Sequence, residues 1–98
     1  MTDYAEKVAE HARLTALKLL AEQPQYALNE SLLRELLADF AIAYSRDQVR
    51  ALIAWLAEAA LATVEDAAGL AIVRITGRGL DVAQGRARHP GVKRPGPR

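Results

Sequence analysis

The chain has 98 residues, a length typical of one domain that buries its own hydrophobic core without a metal or disulfide staple. It contains no cysteine, which excludes a disulfide framework, a thiol nucleophile and a cysteine-ligated zinc site. No apolar run approaches the ~20 residues that span a bilayer, and the N-terminus lacks the basic and apolar regions of a signal peptide. We therefore expect a cytoplasmic protein without a membrane partner.

The formal net charge of +1 conceals a division along the chain. Up to Thr76 the sequence has seven Lys and Arg against eleven Asp and Glu, a net of −4, and from Gly77 onward it has six against one, a net of +5. A basic end on an acidic body is typical of an arm that contacts an anionic partner such as nucleic acid, and equally of a terminus that is only solvated. Charge alone leaves both interpretations open.

The first predicted helix begins at Asp3, which forms a capping box with Glu6, and continues to Glu22, where Pro24 ends it. Its apolar residues spread around much of the helix and exceed what one core uses. This pattern predicts either a homodimer through a second buried face or simply a helix rich in alanine. His11 has no partner at ligand spacing, so we expect neither a metal site nor a cofactor.

The second and third helices are predicted at residues 30–39 and 46–60, joined by a turn at residues 40–44. Asn29 caps the second helix, and Ser45 with Gln48 forms a Ser-x-x-Gln capping box for the third. Trp55 lies at the edge of the third helix's apolar face, where it either packs under a following hairpin or anchors an interface. Helical periodicity and strand pattern together predict one core, formed by Leu36, Val49, Leu52, Ile53, Leu56, Val73 and Ile75.

A hairpin follows the third helix, with strands at residues 61–64 and 70–75 and an acidic turn at residues 65–69, in which Gly69 is free to adopt a positive φ. Tyr26 and Leu28 form a short strand that pairs with this hairpin, and residues 78–85 form a short helix. The predicted fold class is therefore mainly α with a small β-wing. It is a winged helix-turn-helix of three helices, a β-hairpin wing and a short fourth helix.

The third helix of such a fold offers its outward face to the major groove of DNA. Arg46 and Arg50 are the candidates for contacts with bases or phosphates, and Ser45 and Gln48 lie near them. In the wing, Arg74 is the only positive group, so it is also a candidate. Carboxylates on the helix face and in the wing turn oppose DNA binding, because they repel phosphate.

Residues 1–85 are interpreted as the winged-helix domain and residues 86–98 as a basic arm. Three prolines and two glycines among these thirteen residues exclude regular structure and favour an extended, partly polyproline conformation. The segment is either a disordered tail or an arm that tracks phosphates or crosses to a dimer partner. Its candidate DNA-binding residues are Arg86, Arg88, Lys93, Arg94 and Arg98.

The chain resembles a family of small proteins from Mu-like phages and prophages in three segments, which are YALNESLL at 26–33, SRDQVRALIAWL at 45–56 and ITGRGLDVAQGRARHPGVKRP at 75–95. The resemblance covers most of the chain, and the third string is unusual enough to be specific. It implies a winged-helix fold and a phage context. More distantly, the helix-turn-helix and wing are similar to the dimeric MarR- and ArsR-type regulators, except that Ala60 stands where those regulators have a glycine.

Two functions follow as hypotheses. The first is a phage-derived protein that binds double-stranded DNA, acting as a homodimeric transcriptional regulator. The alternative is a phage assembly or DNA-packaging module that uses the winged helix to bind protein, with phage head or packaging proteins as partners. We expect no enzyme, because the sequence contains no HExxH motif, glycine-rich phosphate loop, nucleophile triad or carboxylate pair.

Overall fold

The computed structural model describes residues 3–96, which contain four helices and a three-stranded antiparallel sheet. None of these helices combines the length and the apolar composition that a membrane crossing requires. The helix boundaries lie within two residues of those predicted. The elements in chain order are α1 (Tyr4–Ala21), β1 (Ala27–Asn29), α2 (Glu30–Ala38), α3 (Arg46–Glu58), β2 (Ala62–Ala67), β3 (Leu70–Ile75) and α4 (Gly77–Ala83).

Each helix begins at a capping side chain, which satisfies backbone N–H groups that have no partner inside the helix. Asp3 Oδ1 accepts a hydrogen bond from the Glu6 N–H at 2.8 Å. At α3 the predicted capping box is complete, because the Gln48 N–H donates to Ser45 Oγ at 3.2 Å and the Ser45 N–H donates to Gln48 Oε1 at 2.8 Å. The other two helices are capped by Asn29 and Thr76.

Two or three residues after the ends of α2, α3 and α4, the backbone takes the left-handed conformation, at Ala41 (φ 64°), Ala60 (φ 62°) and Gly85 (φ 82°). At the end of α3, the Leu61 N–H donates to the Leu56 carbonyl at 2.9 Å, which is the long hydrogen bond of a Schellman motif. Ala60 is the residue that stands where the similar regulators have glycine. The chain therefore takes the positive φ here although its side chain is alanine.

The sheet has the strand order β1-β3-β2, and both neighbouring pairs are antiparallel. Leu28 on β1 and Val64 on β2 both lie opposite Val73 on the central strand. This arrangement confirms the prediction that a short strand before α2 pairs with the hairpin. The sheet therefore links the segment before α2 to the hairpin that follows α3.

The hairpin differs from the prediction at its turn. Glu65 and Asp66 were expected in the turn, but they continue β2 and pair with β3. The turn is only Ala68 and Gly69, with φ values of 55° and 83°, the two positive angles that a tight two-residue hairpin turn favours. The two carboxylates therefore lie along the edge strand instead of at the hairpin tip.

One hydrophobic core lies between the sheet and the helices, and six of the seven predicted core residues are buried in it. The exception is Leu36, which is half-buried, because α2 turns Leu33 and Leu37 fully inward instead. The largest fully buried side chains also include Leu56 of α3 and Val73 of β3. The core therefore joins α2 and α3 to the central strand.

More than one side of α1 is covered by its own chain. α4 packs on this helix, and the segment after α4 follows it, with Val92 buried and the Lys93 N–H donating to the Glu10 carbonyl at 3.2 Å. The surplus apolar surface of α1 is therefore used within one chain. A homodimer through α1 stays a prediction, but that surplus no longer supports it. The buried residues of α1 are Ala12, Leu14, Thr15, Ala16, Leu17, Leu19 and Leu20.

Replacing Leu56 by alanine is expected to lower the free energy of unfolding by about 2–5 kcal/mol, because the fully buried side chain would leave a cavity in the core. Urea denaturation monitored by circular dichroism measures the change. Leu32→Ala is the matched control, since Leu32 is 46% exposed and its loss is expected to cost about 0.5 kcal/mol or less. Equal destabilisation by the two substitutions would contradict this description of the core.

Candidate nucleic-acid interface

A buried carboxylate holds α3 against α2 and the sheet. Glu30, the first residue of α2, is 3% exposed. Arg50 donates from Nε to Glu30 Oε1 at 2.7 Å and from Nη2 to Oε2 at 3.1 Å, and the Ala71 N–H donates to Oε2 at 2.7 Å. Arg46 Nε lies 3.7 Å from Oε1. One carboxylate therefore joins α2, α3 and β3.

These contacts lower the pKa of Glu30 from 4.5 to about 2. The hydrogen bond from Arg50 is the largest cause, followed by that from the Ala71 N–H, and together they outweigh the burial that opposes ionisation. The same hydrogen bond raises the pKa of Arg50. Both groups are therefore charged at neutral pH, and the guanidinium of Arg50 is directed at Glu30.

The four predicted site residues of α3 differ in how available they are. Ser45 and Gln48 are hydrogen-bonded to each other in the capping box. The side chains of Arg46 and Arg50 are 62% and 48% exposed, but the structure brings both to Glu30, and Arg50 uses two of its nitrogens there. Arg46 is therefore the most available cation of this set.

Arg74, the positive group of the hairpin, is tied to its own neighbourhood. Its Nη1 donates to the Gln25 carbonyl at 2.7 Å, and its Nη2 lies 3.9 Å from Glu65 Oε1. The side chain thus connects β3 with the segment before β1 and lies beside an acidic residue of β2. This placement favours a structural role over a contact with DNA.

The residues after α4 form a closed loop on α1 and not an extended arm. The loop returns to its starting point, because a Cβ placed on Gly85 would lie 3.7 Å from Pro95 Cγ. Proline and glycine exclude regular structure here, as expected, but they do not prevent packing, since Val92 is 6% exposed. We call residues 85–96 the C-terminal loop. Arg98, a predicted phosphate contact, lies outside the described residues.

Trp55 packs beneath the C-terminal loop, not beneath the hairpin as expected. Arg13 Cζ lies 4.0 Å from the centre of the Trp55 ring, in cation–π geometry. The His89 ring meets the same indole edge-on at 5.2 Å, and Arg13 Nη1 donates to the Gly91 carbonyl at 2.9 Å. Only the folded loop brings these residues together. The sequence signal was limited to an amphipathic aromatic at the core edge.

The C-terminal loop, the end of α1 and α4 enclose a cleft of about 740 Å³, which we call the basic cleft. Among the described residues that line it, Glu22 is the one carboxylate. Arg86 does not line the cleft, because it pairs with Asp81 at 2.9 Å and also donates to Gln84. Four exposed cations line it, namely Lys18, Arg88, Lys93 and Arg94. Lys18 was not among the predicted site residues, because it is remote from the loop in sequence.

A second concave surface lies between α3 and the hairpin, and we call it the α3–hairpin groove. Its volume is about 560 Å³, and two carboxylates, Glu65 and Asp66, border it. Arg50 lies at the groove but is paired with Glu30. The groove is therefore acidic and apolar, the opposite of the basic cleft. Its apolar lining consists of Ile53, Ala54, Ala57, Val64 and Ala71.

Comparisons with known proteins identify a relative. No protein-family model matches this chain, and no solved structure matches it. Over 91 residues the chain is 48% identical to the uncharacterised protein gp26 of Escherichia phage Mu. The aligned residues cover 93% of this chain and 94% of gp26. The match extends over nearly all of both sequences, so it includes α3, the hairpin and most of the C-terminal loop.

Glu30→Gln is expected to change how stability depends on pH. Because folding lowers the pKa of Glu30 from 4.5 to about 2, the ionised carboxylate stabilises the protein above pH 4.5, and this stabilisation is lost as the pH falls toward 2. The wild type should therefore need more urea to unfold than Glu30→Gln at pH 7, with the difference narrowing between pH 4.5 and 2. Glu35→Gln, at an exposed position of α2, is the control. If the stability of the wild type and of Glu30→Gln changed with pH by the same amount, the lowered pKa of Glu30 would be contradicted.

Proposed function

This chain belongs to the family of the phage Mu protein gp26, and we propose that it is a winged-helix protein that binds double-stranded DNA through its basic cleft. The observation that carries this proposal is the convergence of four exposed cations on one cleft. Lys18 comes from α1, whereas Arg88, Lys93 and Arg94 come from the C-terminal loop. Cations on one surface are what a phosphate backbone requires.

The winged-helix assignment is supported by the order of the elements. α2 and α3 form the helix-turn-helix, β2 and β3 form the wing, and β1 completes the sheet beside β3. α1 and α4, the first and last elements in chain order, pack against each other. The fold alone does not imply an activity, so the charge distribution has to identify the DNA-binding surface.

The charge distribution favours the basic cleft over α3 as that surface. In many winged-helix proteins the third helix reads base edges, but here Arg50 is bound to Glu30, and Glu65 and Asp66 lie beside the helix. Binding through the cleft would be mostly sequence-independent, because phosphate contacts carry no base information. For a homodimeric transcriptional regulator, Arg46 would be the base-contacting residue of α3.

Removing one cleft cation is expected to weaken duplex binding and to flatten its salt dependence. If Arg88 neutralises one phosphate, Arg88→Ala should reduce the slope of log K against log salt by ~0.9. Fluorescence anisotropy with a labelled duplex at several KCl concentrations measures both quantities. Lys7→Ala is the matched control, since Lys7 is an exposed cation of α1 that does not line the cleft. Absence of salt-dependent binding by the wild type, or equal effects of the two substitutions, would contradict the proposal.

A second candidate function is a phage assembly or DNA-packaging module that binds protein in the α3–hairpin groove. The observation that favours it is the apolar lining of the groove, in which Val64 is 42% exposed although apolar. Glu65 and Asp66 at its border repel phosphate and suit a partner with basic residues.

Val64→Asp is expected to abolish binding to a purified phage head or packaging protein if this groove is the interface, because a charge would replace an apolar contact. Thr63→Asp is the control, since successive side chains of a strand point to opposite faces of the sheet. Pull-down with both variants measures the effect. Equal binding by wild type and Val64→Asp would exclude the groove as the protein-binding surface.

A further inference from the structure

We infer that Arg13, Trp55 and Gly91 form a latch that holds the C-terminal loop in its DNA-binding shape. These three are positioning residues, which set the affinity for DNA without touching it. The effect of the latch on DNA affinity rests on the proposed function. Its effect on the position of the loop does not, and this effect can be tested on the protein without DNA.

The latch joins three elements that are distant in sequence. Arg13 of α1 lies over the indole of Trp55 of α3, at 4.0 Å, and donates to the Gly91 carbonyl of the loop at 2.9 Å. The guanidinium is fixed further by Glu6, whose Oε2 lies 3.3 Å from Nη1, and the Arg13 side chain is only 14% exposed. Shielding from solvent strengthens both the cation–π contact and the hydrogen bond.

Gly91 is the loop residue on which the latch closes. Its N–H donates to His89 Nδ1 at 3.0 Å, and its carbonyl accepts from Arg13. A Cβ at this position would overlap Trp55 Cζ2 and lie 2.8 Å from Cη2. The glycine is therefore required because the backbone approaches a rigid ring closely. No larger residue fits while the loop is docked.

The latch matters for binding because of what the loop carries. Arg88 lies before Gly91 in the chain, and Lys93 and Arg94 follow it, so the same docking places all three at the basic cleft. A loop without helix or strand loses conformational entropy when it is ordered by a ligand. Docking on Trp55 orders this loop in advance. Undocking should therefore lower the affinity while leaving the number of phosphate contacts unchanged.

Gly91→Ala in the full chain tests this inference, with Gly77→Ala as the matched control. The same methyl group is added at the exposed first residue of α4, where nothing lies within 4 Å of a Cβ and which does not line the basic cleft. Gly91→Ala is expected to bind duplex DNA about tenfold more weakly at a given salt concentration, with an unchanged salt slope. Gly77→Ala should match the wild type. Arg88→Ala differs from both glycine variants, because the loss of a cation reduces the slope of log K against log salt.

Docking of the loop has its own readouts. Trp55 is the single tryptophan of the chain, so its emission reports the latch directly, and a red shift is expected in Gly91→Ala. Trypsin should also cleave after Arg88 and Lys93 faster in this variant than in Gly77→Ala. Trp55→Phe is a second variant that keeps an aromatic ring. If the latch is a cation–π contact, trypsin should cleave this variant at a rate between those of the wild type and Gly91→Ala.

The outcomes separate the latch from the proposed function. Unchanged emission and proteolysis in Gly91→Ala would overturn the latch, whether or not the chain binds DNA. A loosened loop with unchanged affinity, or with a reduced salt slope, would overturn the positioning role and leave the proposed function standing. Failure of the wild type to bind DNA would overturn the proposed function, and emission and proteolysis would still decide whether Arg13, Trp55 and Gly91 hold the loop.

Discussion

The position of α3 relative to the sheet depends on the buried carboxylate of Glu30. β1 ends at Asn29 opposite Ile72, and the side chain of Glu30 accepts the N–H of the neighbouring Ala71, so it extends the hydrogen bonding of the sheet by one group. Burying this charge is costly unless it is paired, and Arg50 of α3 supplies the partner. The ion pair therefore compensates the buried charge and also engages Arg50, an arginine of α3 that would otherwise be available to DNA.

Opposite charges are separated on the folded chain as they are along the sequence. The α3–hairpin groove is bordered by Glu65 and Asp66, whereas the basic cleft carries Lys18 and the cations of the C-terminal loop. A polyanion would be repelled by the first surface and attracted by the second. The described part of the chain thus carries two surfaces of different chemistry, and the two proposed functions rest on this difference.

The C-terminal loop shows how a segment rich in proline and glycine can be ordered without regular structure. Its backbone groups bond to side chains of the domain, as Gly91 does to Arg13, and to backbone, as Lys93 does to the Glu10 carbonyl. Val92 adds an apolar side chain to the core. Composition predicts only that such a segment forms no helix or strand, because composition does not describe the surface on which it packs.

Local patterns were sufficient to predict the helices and their caps, because the groups involved are close in sequence, as Ser45 and Gln48 are. The pairing of the short strand joins residues far apart in sequence, such as Ala27 and Arg74, and was predicted from the order of the elements instead. Local patterns failed at the hairpin turn, where pairing with β3 extends β2 through Glu65 and Asp66. The candidate site was predicted as residue types and not as an arrangement. Glu30 and Arg50 are 20 residues apart, and Arg13 and Gly91 are 78 apart. Contacts over such separations exist only after the core has brought the elements together, so periodicity and capping signals carry no trace of them.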